Sequence, residues 1–209
     1  MDATSEVLFA INGRTVKYYI IHRPPVPWGD YGDTLQNGLV ENQRGQLFLD
    51  HTGPYLPPIL FSTEYVVVED DLKNALLRSH LTGLNFKFVN KRKIVPLAWH
   101  RWDKSLHEPK ERPKSGEPED YLIKGKHCAD TASYLPDVWS LEPPAVATVV
   151  RPRRIVQSSK ELCLDLATTQ SLDFLRSKDV LYTYVSDRAK AWLETTAPGA
   201  VTFEEASVA

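Results

Sequence analysis

His127 and Cys128 are the nearest this 209-residue sequence comes to a reactive pair. A thiol close to Lys124, Lys126 and an imidazole would be held more in the thiolate form, which nucleophilic and transfer chemistry require. No third residue at a recognisable spacing orients that pair. Side chains adjacent on a strand point to opposite faces, so the same two residues chelate an ion poorly. The remaining histidines are His22, His51, His80, His100 and His107, and no two histidines stand in an HExxH, HxH or i, i+4 relation. A metal site therefore has no ligand spacing behind it. The sequence has no GxSxG, GxxxxGK[ST] or GxGxxG, so it lacks both a nucleophile elbow and a glycine cradle for phosphate. The expectation is a protein with no catalytic residue, no metal and no cofactor.

Recognition chemistry is better represented. Trp28 and Tyr31 stand beside Asp30 and Asp33 in a proline-rich stretch, Arg23 to Asp33. A second cluster runs through Trp99, His100, Arg101, Trp102 and Asp103. Trp, Tyr and Arg are enriched where interfaces carry most of their binding energy, and proline reduces the entropy lost when a loop is ordered by a partner. Trp28, Asp30, Tyr31, Asp33, Glu41, Arg101, Trp102 and Asp103 are the candidate partner contacts, with Trp99 read as core. Acids at 30, 33, 41, 117, 119 and 120 would steer a basic partner. The triplet Glu69-Asp70-Asp71 reads as the acidic first turn of a helix rather than a carboxylate dyad. Lys91-Arg92-Lys93 and Arg151-Pro152-Arg153-Arg154 read as solvated basic loops. A formal charge of −2 and a pI near 6.3 argue against a general nucleic-acid binder.

These residues need a scaffold, and the composition supplies one. With 42% hydrophobic residues a core forms without disulfides or metal, and Cys128 and Cys163 form no CxxC pair. The opening MDATSEVLFA has early acids and no basic region, unlike a secretory signal. No apolar run approaches the roughly 18–20 residues of a membrane helix. A cytoplasmic protein with reduced thiols is expected.

Val7 to Ala10 and Val16 to Ile21 read as a hairpin about Asn12-Gly13. Gln46 to Leu49 is a short strand. Tyr65 to Val68, a helix from the acidic triplet with Leu72, Ala75 and Leu76 on one face, a stop at Gly83 and a strand from Leu84 to Val89 make a strand–helix–strand unit. Residues 103–120 read as an exposed loop. Tyr121 to Lys124 and Val138 to Leu141 read as strands, and Ser171 to Arg176 as a helical turn. Leu181 to Val185, a cap at Ser186-Asp187, a stripe of Ala189, Trp192 and Leu193, and Val201 to Phe203 repeat the first unit. At an offset of 117 positions Val68, Asp70, Lys73, Leu76 and Phe86 meet Val185, Asp187, Lys190, Leu193 and Phe203. The expected fold is α+β: a mostly antiparallel mixed sheet with two related strand–helix–strand units (64–89 and 181–205) and proline-rich loops. The chain reads as one globular unit, or as two lobes at 1–100 and 120–209.

The segments VVVEDDLKNALLRSHLTGLNFKFV and YVSDRAKAWLETTAPGAVTFEEA resemble a phrase found in bacterial immunity proteins, including the families numbered eleven and forty-three. Val185-Ser186 and Phe203 carry the match in the second segment, and Gly83 with Phe86 in the first. About a quarter of the chain is covered, and residues 91–160 lie outside it. The resemblance implies a cytoplasmic α+β protein without catalysis of its own that neutralises a cognate toxin effector by tight binding. Two other functions are open: a thiol-dependent enzyme using Cys128 and His127, and a scaffold subunit of a larger assembly.

Overall fold

In a computed structural model of the chain, residues 16–62, 64–150 and 162–208 are described. They contain five α-helices and fourteen strands in mixed, largely antiparallel sheets, an α+β fold. No helix among them is long and apolar enough to cross a membrane. The 7–10 strand run, the Asn12-Gly13 turn and the basic cluster at 151–154 lie outside the described residues.

The chain divides into two compact units, though not where the sequence places the lobes. Met1–His22, His80–Leu84 and Pro143–Ala209 form the first unit, and Arg23–Ser79 with Asn85–Glu142 the second. The expected division between 100 and 120 fails because strands distant in sequence complete each sheet. Strand β1 (Tyr18–His22) takes its partners from the C-terminal third of the chain, and residues 120–142 belong with the second unit.

The second unit follows with α1 (Asp30–Asn37), β2 (Leu39–Glu41), β3 (Leu47–Gly53), β4 (Ile59–Phe61), β5 (Val66–Glu69), α2 (Asp70–Arg78), β6 (Phe86–Pro96), α3 (Glu119–Lys124), α4 (Ala129–Tyr134) and β7 (Val138–Leu141). Its six strands lie in the order β2-β3-β6-β7-β5-β4. Leu47, Leu49, Leu60, Val67, Val89, Ile94 and Val138 form its core, with β6 keeping Val89 and Ile94 in it across a shift of register against β3. The first unit continues with β8 (Ala145–Ala147), β9 (Val149–Val150), β10 (Cys163–Leu164), β11 (Phe174–Ser177), β12 (Thr183–Ser186), α5 (Asp187–Thr196), β13 (Thr202–Glu205) and β14 (Ser207–Val208). It holds a five-stranded sheet, β13-β1-β12-β11-β8, and a three-stranded one, β14-β10-β9.

Both units contain the same four-stranded motif, in the orders β6-β7-β5-β4 and β13-β1-β12-β11. In each, the strands flanking the helix are parallel to one another and are separated by one strand antiparallel to both. The registers agree at the offset of 117. Trp139 lies between Val68 and Phe88, and Tyr19 lies between Val185 and Glu205. Lys73 sits 3.6 Å above the Trp139 ring, and its counterpart Lys190 sits 5.1 Å above Tyr19. The helices bury Leu72 and Leu76 in one case and Ala189 and Leu193 in the other. Ser186 caps α5 by accepting a hydrogen bond from the Ala189 amide at 3.1 Å, the role its position predicts. Both edges of β1 are filled, by β12 and β13, so β1 is a central strand of its sheet.

Four local readings change. Asp30 to Asp33 begin helix α1 instead of continuing the proline loop. Residues 121–124 form helix α3, which Pro118 opens with a helical φ of −64° and Glu119 and Asp120 favour as first-turn acids. Residues 174–176 are strand β11 paired with β12, entered through a turn at Gln170 and Ser171, both at positive φ. Lys91-Arg92-Lys93 lies inside β6 and is engaged: Lys91 contacts Asp137 at 3.0 Å, Arg92 grips Asp50, and Lys93 reaches the Ile123 carbonyl at 3.4 Å.

The helix does not run to Gly83: α2 ends at Arg78 and His80 takes the left-handed φ of 59°. Gly83 lies in the loop beyond, held for a different reason. Its φ is +79°, and a Cβ there would lie 1.9 Å from the Phe174 carbonyl oxygen. Gly83→Ala is expected to lower stability by more than about 2 kcal/mol, combining left-handed strain with a backbone collision. Urea unfolding measures it, and a loss under half that value would contradict this geometry.

Candidate functional site

The two aromatic stretches singled out in the sequence meet in the second unit. Trp28 precedes α1 and itself adopts φ +64°, followed by Gly29 at +58°. Gly32 lets the first turn of α1 close on the proline loop, since a Cβ there would fall 1.8 Å from the Pro27 carbonyl oxygen. This turn presents Trp28 to Trp102 with ring centroids 6.0 Å apart and planes tilted by 53°. Trp102 packs in turn on Tyr121 of α3, at 6.3 Å and 54°. Tyr31, one step along α1, lies beside Tyr121, and the Arg112 guanidinium sits 6.0 Å from its ring. Burial, and after it the neighbouring Tyr121, push the Tyr31 phenol well above its ordinary pKa, so it stays a neutral donor. All three predicted aromatics are half-buried, with Trp28 Nε1 and the Tyr31 hydroxyl buried.

Charged residues surround this cluster unevenly. Asp30 is exposed at the start of α1, and Arg101 is exposed in the 3-10 turn formed by Trp99–Arg101. Asp33 is tied internally, paired with Arg23 and accepting a hydrogen bond from the Asn37 side chain at 2.5 Å. Burial raises its pKa, and Arg23 and Asn37 offset that only in part. Asp103 is exposed and accepts from the Ser105 hydroxyl at 2.6 Å and amide at 3.0 Å, which hold its carboxyl below the usual range. Glu41, on β2, accepts from the Tyr65 hydroxyl at 3.0 Å. An open hollow of about 280 Å³ is lined by Arg23, the proline loop at Pro24 to Val26, and Gly29, Asp30 and Asp33.

Trp28, Tyr31 and Trp102 are thus brought together, Asp30 and Arg101 are on nearby exposed turns, and Asp33 and Glu41 have internal partners. Tyr121 and Arg112 were missed. They lie some ninety positions from Trp28 in the chain, and nothing in local spacing signals such a contact. Trp99 is core, 2% exposed, donating from Nε1 to the Thr52 carbonyl at 3.2 Å.

His127 and Cys128 each engage a different partner. The His127 Nδ1 accepts from the Ile94 amide at 3.0 Å, while the Cys128 sulfur accepts from the Thr131 hydroxyl at 3.2 Å. Thr131, through hydroxyl and amide, lowers the Cys128 pKa. The activating group is therefore a threonine, which cannot accept the thiol proton as a general base would. Asp70, in the acidic triplet, accepts from Lys73, Asn74 and Trp139 and serves the helix and its sheet.

No family model and no curated protein matches the chain. What the geometry defines is a class: an α+β protein built on a repeated split strand–helix–strand motif, with an aromatic patch on one unit.

Proposed function

We propose that this protein is a non-catalytic immunity protein that acts in the cytoplasm and neutralises a cognate toxin effector by direct binding. The observation behind this reading is the joining of Trp28 and Trp102, from loops more than seventy positions apart, into one half-buried patch with Tyr31 and Tyr121. Rigid aromatics with a charged rim are the composition of binding hot spots. The resemblance of the strand–helix–strand segments to immunity proteins gives the class of partner.

The test begins with affinity capture of the tagged protein from its native cells and expression of any stoichiometric partner alone. A partner that is lethal alone and harmless when co-expressed is expected. Trp102→Ala should then weaken binding by at least about thirtyfold, the effect of losing one hot-spot aromatic. Because Trp102 also packs internally, Asp30→Lys is the companion variant. Its carboxylate is exposed, so the fold is spared, and slower association with altered salt dependence is expected. Unchanged binding in both variants would sink the assignment of this surface, and a harmless partner would sink the immunity reading.

A further inference from the structure

The correspondence between the two units extends past the four-stranded motif. In the second unit β2 pairs antiparallel with β3, and β3 runs parallel to β6 with Phe48 and Leu49 opposite Asn90 and Lys91. In the first unit β9 pairs antiparallel with β10, and β10 runs parallel to β14 with Cys163 and Leu164 opposite Ser207 and Val208. Likewise Ile59 of β4 lies opposite Val68 of β5, and Phe174 of β11 opposite Val185 of β12. Once α1, α3, α4 and β8 are set aside, β1-β2-β3-β4-β5-α2-β6 and β7-β9-β10-β11-β12-α5-β13-β14 are two passes through one order of elements.

The first strand of each pass lies in the other unit. β1 opens the pass that builds the second unit, yet it sits between β12 and β13 of the first. β7 opens the pass that builds the first unit, yet it sits between β5 and β6 of the second. Ile20 stands between Tyr184 and Glu204, and Ser140 between Val67 and Lys87. Both strands are deeply placed, with Ile20 3% and Ser140 2% exposed. The sequence supplies a cause. The chain passes from one unit to the other at Arg23 and again at Pro143. Pro24-Pro25 and Pro143-Pro144 stand at these crossings, each pair beginning two residues after its strand ends. Paired prolines fix φ, lack amide donors and favour an extended course, which opposes the tight turn that would fold a strand back on its own repeat.

The exchange has unequal consequences for the two units. The second is nearly continuous in the chain, 23–79 and 85–142. The first is assembled from three separate stretches, 1–22, 80–84 and 143–209, joined only through the second. Its middle stretch is engaged: the Thr82 amide and hydroxyl each donate to Asp173 at 2.8 Å, and the Phe174 amide donates to the Thr82 carbonyl at 3.0 Å. If the second unit unfolds, docking β1 and Thr82 requires closing two long disordered loops, an entropy cost that the folded second unit removes.

We propose that the exchange of first strands makes folding of the first unit conditional on the second, while the second does not depend on the first. This device is independent of the toxin-binding reading. Urea unfolding of the full chain labelled with fluorotryptophan, followed by fluorine NMR, tests it. Trp192 reports the first unit, and Trp28, Trp99, Trp102 and Trp139 report the second. Val67 and Leu175 are both fully buried, one in each unit. A charge at either place disrupts its core. Leu175→Asp should move Trp192 alone to its unfolded shift without denaturant and leave the other four native. Val67→Asp should lower the midpoint of the four second-unit resonances, with Trp192 unfolded at every urea concentration where they are unfolded. Trp192 keeping its native shift after the second unit is lost, in either variant or in the wild type, overturns the proposal. Loss of all five resonances together in Leu175→Asp overturns it as well, since the dependence would then be mutual.

Discussion

Asp173→Ala is expected to destabilise the first unit by roughly 3 kcal/mol, the cost of leaving several buried donors unanswered. Asp173 immediately precedes β11, and its side chain is 7% exposed. One carboxylate oxygen accepts from the Thr82 amide and hydroxyl, both at 2.8 Å, and from a terminal nitrogen of Arg188. The other accepts from the Ser186 hydroxyl at 2.8 Å and from Arg188 Nε at 3.0 Å. Ser186 is at once the cap of α5, so the network ties the helix start to the strand before it. Asp173→Asn keeps the shape but turns an NH2 group, with two donors, toward a ring of donors, and should recover less than half of the loss.

The same residue sets an acid limit. Burial alone would raise the Asp173 pKa, but Arg188, Thr82 and Ser186 together outweigh it, and the folded value lies below the ordinary one. A carboxylate depressed on folding contributes stability that is fully present above its unfolded pKa, about 4. That contribution is lost as pH falls through the folded value. Urea unfolding from pH 5 down to pH 2 should show the wild type losing its advantage over Asp173→Asn across that window. Parallel curves for the two proteins would mean that the carboxylate is not charged in this network.

The second large effect belongs to His51 and appears at higher pH. His51 is on β3 and is fully buried, with Nε2 donating to the Tyr55 carbonyl at 2.7 Å. Because the Tyr55 carbonyl can only accept, the neutral ring carries its proton on Nε2, and Nδ1 has no partner among the described residues. Burial pushes its pKa down from 6.5 to about 4, opposed only by the bond to Tyr55. Here too the folded pKa is below the unfolded one, so stability is fully present above pH 6.5 and falls as the unfolded chain takes up the proton. The loss should reach about 3 kcal/mol near pH 4 and then level off. His51→Leu removes the titration and should flatten the stability curve between pH 6.5 and 4. A wild type that shows no greater loss than His51→Leu over that range would contradict a buried neutral histidine. The two variants separate the units, one acting in the second unit above pH 4 and the other in the first unit below it.

The candidate site divides in the same way between what local spacing reveals and what it conceals. Trp28 and Trp102 stand out because each is an aromatic beside proline, arginine or aspartate, a composition unusual for a core. Their meeting is not written in either stretch, and Tyr121 reads as a strand residue until Pro118 is recognised as a helix start. Asp33 shows the opposite error. It reads as an exposed acid, yet Arg23, ten positions earlier, already pairs with it. The expected charge reversal therefore belongs at Asp30 alone.

By itself the sequence determined the elements whose cause is local. Glu69 to Asp71 and Ser186-Asp187 start α2 and α5, the leucine and alanine stripes orient both helices, and the offset of 117 positions foretells two equivalent motifs. Each depends on hydrogen bonds and side-chain spacing within one or two turns of chain, which residue type alone governs. The tertiary structure decided which strand lies between the two that flank each helix: β7 from later in the chain in one motif, β1 from the beginning in the other. That choice moved the unit boundaries, buried Asp173 against Thr82, and set Ser140 where the sister motif has isoleucine. Strand pairing across a hundred or more residues is settled by register, packing volume and loop closure summed over the whole fold, and these leave no periodicity in any one segment.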